Sequence, residues 1–426
     1  MKLNSGDIGR GKASSLVHAW IEKKMRRVSH TRLRCPWRLT VAVCSLIVAA
    51  NVHADEGATA GAVLQAVYDG DVWSNLDGGR RTGTDYAAHL DLSLAVDADK
   101  LWHWTGDQFY FRAFADSGTA FSRRTGDIHG INNWESGFRA GKLIEAWIDH
   151  NFNDAHSSLR FGLYDTTTEF DKSKSEVLFI NNSQGMNRVL SLSGLNGPST
   201  YPATSLGLRL RHAFNAKWAL KVAALGGVPD DPADPAATTI KLRAPDGAFI
   251  ISELRYHNPH GSRVAMGYWH YTAEFDEILT AQKGTGNQGF YLSGDTMLTS
   301  TPDDPLRGIS SGLRVAHAEA DFNRFDWFAS GVLTDTGFLA ARPTDKAGLG
   351  FVYSHTGAPY LRSQRAQDLP VRAGELTLEA TYRAPLTSWL TLQPDIQYVI
   401  DPADAPTSRN VLVFGLRMEV TFSRAL

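Results

Sequence analysis

The sequence predicts an all-β protein: a transmembrane antiparallel β-barrel of about 16 strands, with a water-filled lumen narrowed by inward loops. Three observations lead there. Residues 409–422 read RNVLVFGLRMEVTF, with Leu412, Phe414, Leu416, Met418, Val420 and Phe422 on one face and Arg417, Glu419 and Thr421 on the other. Side chains alternate across a strand, so this is one long two-faced strand. Aromatic-rich alternating stretches of the same kind recur along the chain, separated by connections rich in Gly, Asp, Asn and Pro. Such a uniform succession, with no linker and no shift in composition, reads as one all-β unit. The third observation is an export signal ahead of the first strand.

In that signal Arg32, Arg34 and Arg38 form the positive region, Leu39 to Ala50 the apolar run, and Val52-His53-Ala54 the small-residue cleavage site. The run is short for a bilayer span, and no longer uncharged apolar run follows it. Residues 1–54 are therefore read as an N-terminal extension plus signal peptide, cleaved after Ala54, and 55–426 as a single barrel of the bacterial outer membrane. The polar and basic stretch 1–31 fits a true start at Met25. A twin-arginine signal at Arg26-Arg27 lacks the apolar residues that should follow. Both cysteines, Cys35 and Cys44, lie in the signal. The mature chain then has no disulfide framework and no thiolate metal site. The first 54 residues hold 10 basic and 2 acidic residues of the chain's 43 and 45, which leaves 33 against 43, a net of −10. That balance argues against nucleic acid as a partner.

Alternation places the strands, in order, near 61–69, 85–97, 107–117, 142–152, 158–168, 204–214, 217–226 and 248–258. The second half gives 262–272, 288–298, 308–320, 324–334, 347–356, 373–384, 389–400 and 409–422. An even count brings both chain ends to one side. Links 153–157, 215–216, 259–261 and 385–388 are short, whereas 118–141, 169–203 and 227–247 are long and fall in the other parity. Short turns on one side and long loops on the other mark an outer-membrane barrel. The link 321–323 breaks the pattern, because it is short where a long loop is expected. In hydrocarbon every backbone N–H and C=O must be paired, which a closed sheet achieves. A barrel this wide leaves an aqueous channel.

The same alternation assigns faces. In 142–152, Ile144, Ala146 and Ile148 are expected toward lipid, and Glu145, Trp147 and Asp149 inside. In 158–168, Leu159, Phe161 and Leu163 face out, with Arg160 and Tyr164 inside. Leu206, Leu208 and Leu210 oppose Arg209 and Arg211. Arg112 and Asp116 oppose Phe111, Ala113 and Ala115. Glu375, Glu379 and Arg383 oppose Leu376, Leu378 and Tyr382. The predicted lumen thus mixes both signs of charge with Trp and Tyr. Carboxylates and guanidinium groups pair with sugar hydroxyls, and a pyranose face can stack on Trp147 or a nearby aromatic. A pore selective for one ion sign would show charged rings of one sign. The alternative is that these charges form ordinary salt bridges across the wall. Loop 169–203, with Phe170, Phe179, Asn181, Asn182 and Tyr201, is read as folding into the barrel, with a plain surface loop as the alternative.

Several segments resemble one known family. Phe161-Gly-Leu-Tyr-Asp-Thr-Thr-Thr-Glu-Phe-Asp171, followed by Leu178-Phe-Ile-Asn-Asn-Ser183, is similar to the carbohydrate-selective porin (OprB) family. So is Gly331–Gly350, with its Thr336-Gly-Phe, Arg342-Pro-Thr-Asp345 and Gly348-Leu-Gly350 elements, and Glu379–Asp401 looks like the family's penultimate hairpin. The resemblance spans most of the mature chain. It implies a sixteen-stranded barrel that admits glucose and similar sugars into the periplasm by passive diffusion, through a narrow eyelet of charged and aromatic residues. Inward parity and chemistry nominate Arg112, Glu145 and Trp147 first, then Arg160, Arg209 and Glu379. The long central loop is compact, and Ser423 to Leu426 overhang the final aromatic.

The implied partners are small sugars, outer-membrane lipid and the barrel assembly machinery; no cofactor or metal is implied. A general or ion-selective porin is the first rival. An outer-membrane enzyme is less favoured, because the one G-x-S-x-G match, Gly308 to Gly312, falls in the alternating stretch 308–320 and not at a strand-to-helix elbow, and the chain has no H-E-x-x-H pair. A secreted soluble β-sandwich would have shorter strands.

Overall fold

The computed structural model describes residues 60–152, 156–258 and 261–426. The extension, the export signal, both cysteines and the Ala54 site lie outside the described residues. The strands are β1 (Ala62–Asp77), β2 (Gly83–Asp97), β3 (Asp107–Gly118), β4 (Ala140–Phe152), β5 (Ser157–Tyr164), β6 (Ser205–Ala213), β7 (Trp218–Gly226), β8 (Ala248–His257) and β9 (Arg263–Tyr271). They continue as β10 (Phe275–Asp276), β11 (Lys283–Gly284), β12 (Gln288–Met297), β13 (Gly308–Ala318), β14 (Phe325–Thr336), β15 (Lys346–Thr356), β16 (Gly374–Pro385), β17 (Leu390–Ile400) and β18 (Val411–Ala425). Apart from the small β10–β11 hairpin, every strand pairs antiparallel with its neighbours, and β1 pairs with β18 to close one barrel of 16 strands.

Both described ends and the short links 214–217 and 386–389 lie on one side, the periplasmic side of such a barrel. The long links 119–139, 165–204, 227–247 and 357–373 lie on the other. The short link on the long-loop side is real. It is closed by Asn323, whose Nδ2 donates to the Glu319 carbonyl at 2.8 Å and to Asn287 Oδ1 at 2.9 Å.

Outward positions such as Leu208, Leu210, Met266, Leu313, Leu349, Ile396 and Phe414 form an exposed apolar belt. In water each square ångström of it would cost about 25 cal/mol, whereas lipid is its natural solvent.

The wall departs from the sequence reading in five places. β1 runs well past residue 69, because Gly70 is a strand residue: the Tyr68 and Tyr86 hydroxyls meet at 2.5 Å and their rings lie across it. β5 ends at Tyr164, not 168, because the Asp165 side chain accepts the Thr167 N–H and starts a 3₁₀ turn that takes the chain inward. A β-bulge in β4 changes the faces: Arg112 pairs with Glu145 but Ala113 pairs with Leu143. Ile144 is the extra residue and is buried at 0% exposure, while Leu143 takes the lipid side. Leu163 keeps outward parity yet is only 2% exposed. The expected overhang is also ladder: Ser423, Arg424 and Ala425 pair with Gln65, Leu64 and Val63.

Candidate functional site

The lumen is narrowed by the 165–204 loop, which folds inside as expected. Its Phe170, Met186, Val189 and Leu190 pack against Leu225, Phe249, Ile251, Trp269, Tyr271, Tyr291, Phe325 and Phe328 of the inner wall. Fully burying one such side chain stabilises by about 1.5–3 kcal/mol, so this apolar seam fixes the loop to one half of the barrel.

Buried polar anchors then set its position. Arg314 of β13 holds Asp171 at 3.1 Å, the Gln184 carbonyl at 3.1 Å and the Glu176 carboxylate. Glu253 Oε2 accepts the Asp171 N–H at 3.0 Å and the Tyr291 hydroxyl at 2.7 Å. Asp295 accepts from the Ser173 hydroxyl at 2.5 Å and the Ser175 N–H at 3.1 Å. Glu379, nominated from sequence as a lumen group, is 4% exposed and belongs to this set. Its Oε1 accepts the Ile180 N–H at 2.6 Å, and both its oxygens accept the Asn181 N–H at 3.3 Å.

The other nominated residues share the opposite stretch of wall, on β3 to β6. Arg112 Nε donates to Asp91 at 2.6 Å, and its Nη1 lies 3.6 Å from Glu145 and 3.8 Å from Asp165. Glu145 is 1% exposed and accepts the Trp147 indole N–H at 3.1 Å. Arg160 bonds Asp149 at 2.9 Å and lies 3.4 Å from Glu169. Arg209 is buried, bonding Asp149 at 2.5 Å, Glu169 at 2.9 Å and the Ser158 hydroxyl at 2.6 Å. The structure thus brings together Arg112, Glu145, Trp147, Arg160 and Arg209, and keeps Glu379 apart from them.

Trp147 is the centre of a three-layer stack. The Arg160 guanidinium carbon lies 3.5 Å from the ring centroid, and the Tyr110 ring is stacked at 5.1 Å and 27°. Gly162 stands opposite Trp147 with φ +145°, and a Cβ there would come within 2.2 Å of the Ala146 carbonyl. A side chain there would run into the β4 backbone, so the position requires glycine. Both ring faces are flanked, so a solute meets the edge of the stack, the Tyr110 hydroxyl end and the partly open guanidinium groups of Arg112 and Arg160.

Asp91, Tyr110, Asp165 and Glu169 complete the cluster and were not nominated from sequence. Asp91 and Tyr110 share the inward parity of their strands, a signal that could have found them. Asp165 and Glu169 belong to the loop, where alternation says nothing about direction.

Above the cluster, on the long-loop side, a vestibule of about 530 Å³ opens between loops 119–139 and 165–204. Trp134 lines it, stacked on His89 at 4.1 Å, and the Tyr201 hydroxyl donates to Asp116 at 2.5 Å. Glu135 anchors the 119–139 loop by accepting the Ser122 N–H at 3.0 Å and its hydroxyl at 2.7 Å. Burial pushes its carboxyl up to about 8, with the nearby Asp127 adding to the rise. Burial likewise raises Asp127 itself, and hydrogen bonds from Thr125 and the Gly130 N–H offset part of that.

The model of the carbohydrate-selective porin, OprB family matches residues 81–422. Porin B of Pseudomonas aeruginosa is 23% identical over 396 residues, covering 83% of this chain and 86% of that protein. The putative porin QuiX of Acinetobacter baylyi is 20% identical over 400 residues, covering 82% and 86%. Among solved structures, the high-pH structure of Pseudomonas putida OprB superposes with a TM-score of 0.76 at 20% identity, over 85% of this chain and 94% of that one. These relatives are porins, which are channels rather than enzymes. The closed barrel, its lipid-facing belt, the inward loop and a family match over most of the chain agree: this chain belongs to the carbohydrate-selective porin, OprB family, and is a carbohydrate porin of the bacterial outer membrane.

Proposed function

We propose that glucose-like sugars cross this porin by passive diffusion into the periplasm, through the gap between the inward loop and the β3–β6 wall. The observation that carries this reading is the composition of that gap. Guanidinium groups of Arg112 and Arg160, carboxylates of Asp91 and Glu169, and the Tyr110–Trp147 stack lie together on the inner wall against the inward loop. Sugar hydroxyls donate to the carboxylates and accept from the guanidinium groups. Each charge already has a partner of opposite sign, so a sugar exchanges hydrogen bonds instead of filling vacant ones. Binding is then weak enough for release, as conduction requires. Glu145 and Arg209, both buried, act by holding Trp147 and Asp149 in place.

Purified protein in liposomes tests the reading through swelling rates with glucose, a disaccharide and amino acids of similar size. Faster entry of glucose than of the amino acids is expected. Equal rates for all solutes of one size would indicate a general pore and overturn sugar selectivity.

The remaining partners follow from the cellular address. The barrel sits in outer-membrane lipid, is inserted by the barrel assembly machinery, and is exported by the 1–54 segment with cleavage after Ala54. The N-terminal residue of protein isolated from outer membranes tests the last point. A start other than Asp55 would overturn it.

A further inference from the structure

Resting on the sugar-pore reading, we propose that the vestibule holds a subsite for sugar acids, hydroxylated carboxylates of hexose size, captured by Arg188. The vestibule's volume of about 530 Å³ lies within the roughly 300–1,000 Å³ of small-molecule sites. Arg188 lines it from the helical turn Arg188–Ser191 of the inward loop.

The backbone there is held firmly. Asn187 donates to buried Asp171 through its N–H at 2.7 Å and its Nδ2 at 2.8 Å, and Val189 and Leu190 are buried in the seam. The Arg188 side chain, by contrast, makes no hydrogen bond or ion pair to any described residue, and its Nε is buried without a partner. Leaving a guanidinium in that state is costly, so an occupant with acceptor oxygens fits. Trp134 Nε1, also buried and unpartnered, borders the same cavity.

The acids around Arg188 are occupied elsewhere. Asp127 accepts the Gly130 N–H at 2.7 Å and the Ser122 hydroxyl at 3.3 Å. Glu135 accepts from Ser122, as described. Glu375 accepts the Ile128, His129 and Ala403 N–H groups at 2.9, 3.2 and 2.7 Å. Asp404 pairs with Arg324 at 2.6 Å. Lys142, the vestibule's other side-chain cation beside Arg112, is neutralised by Asp230 at 2.6 Å. Arg188 is therefore the one side-chain cation of the cavity lining without an ion-pair partner among the described residues. A carboxylate matches the planar guanidinium fork with two parallel bonds, which a single neutral hydroxyl cannot.

Glucose and glucuronate share one ring and differ at C6, so they make the test. In liposomes carrying the wild-type protein, labelled glucose enters, and glucuronate slows that entry more than its neutral methyl ester does at equal concentration. Arg188→Gln should lower glucuronate flux several-fold against glucose, and Arg188→Lys should restore part of it. Three results would overturn the proposal while leaving the sugar pore standing: ester and acid competing equally in the wild type, parallel loss of both fluxes in Arg188→Gln, or no loss. Failure of glucose itself to enter the wild-type liposomes would overturn the sugar-pore reading on which the subsite rests. The competition arm needs no variant, so it stands even where Arg188→Gln fails to assemble.

Discussion

The Arg160 guanidinium lies over Trp147, 3.5 Å from the ring centroid, on the charged inner wall of β4 and β5. A cation over an indole face is worth about 0.5–2 kcal/mol, depending on its exposure. Arg160 also bonds Asp149, which in turn bonds Arg209. The aromatic surface a sugar would meet is therefore positioned by a charge network.

Trp147→Ala and Glu145→Ala should each change glucose flux by several-fold while leaving the barrel folded. Liposome swelling reads the flux, and the resistance of the folded barrel to SDS on unheated gels reads the fold. Unchanged glucose permeation in both variants would remove these residues from the eyelet.

Glu379→Ala leaves the Ile180 and Asn181 N–H groups without their acceptor. Each unsatisfied buried donor costs about 1–3 kcal/mol, which loosens the loop where it crosses β16. Single-channel conductance should rise and sugar selectivity should fall. A conductance identical to wild type would show that the apolar seam alone holds the loop.

Arg314→Met should destabilise more, because it strands Asp171 and Glu176 deep in the lumen. Breaking a buried charge pair costs about 3–5 kcal/mol. The temperature at which the folded band disappears on SDS gels should drop clearly. Adding Asp171→Asn and Glu176→Gln should recover part of the loss.

Glu135 gives the 119–139 loop a pH dependence. Its folded carboxyl titrates at about 8 against an ordinary value of 4.5, so the folded protein binds that proton more tightly than the unfolded chain. The linked stability is complete below about 4.5 and is lost as pH rises through about 8. Fluorescence of the neighbouring Trp134 should shift across that upper range in a protein in which the other tryptophans have been replaced. Glu135→Gln should flatten the titration.

Deleting Ser423 to Leu426 should reduce assembly yield, since Ser423 to Ala425 are rungs of the closing β1–β18 ladder. Equal amounts of folded barrel from full-length and truncated chains would mean that the rungs from Phe422 back to Leu412 suffice.

The wall was legible in the sequence because strand alternation is local: each residue's face follows from its neighbour's. That rule found sixteen strands and put Arg112, Trp147, Arg160 and Arg209 inside. It failed at Ile144, where one extra residue shifts the parity, and at Leu163, which is covered despite facing outward. It also gave no warning that Phe249, Ile251, Trp269 and Tyr291 would face inward into an apolar seam. Those inward apolar residues have partners that lie far off in the chain, on the 165–204 loop.

Alternation along the chain was enough to establish the barrel, its strand number, the side of its long loops and the mixed charge of its lumen. Which lumen residues stay open to solute follows from long-range packing. Glu379 is used up by the backbone of Ile180 and Asn181, Trp147 is flanked by Tyr110 and Arg160, and the Arg188 side chain is left without a hydrogen-bond or ion-pair partner among the described residues. The physical reason is that alternation fixes a side chain's direction, whereas its availability depends on contacts that a long loop makes once it has folded across the pore.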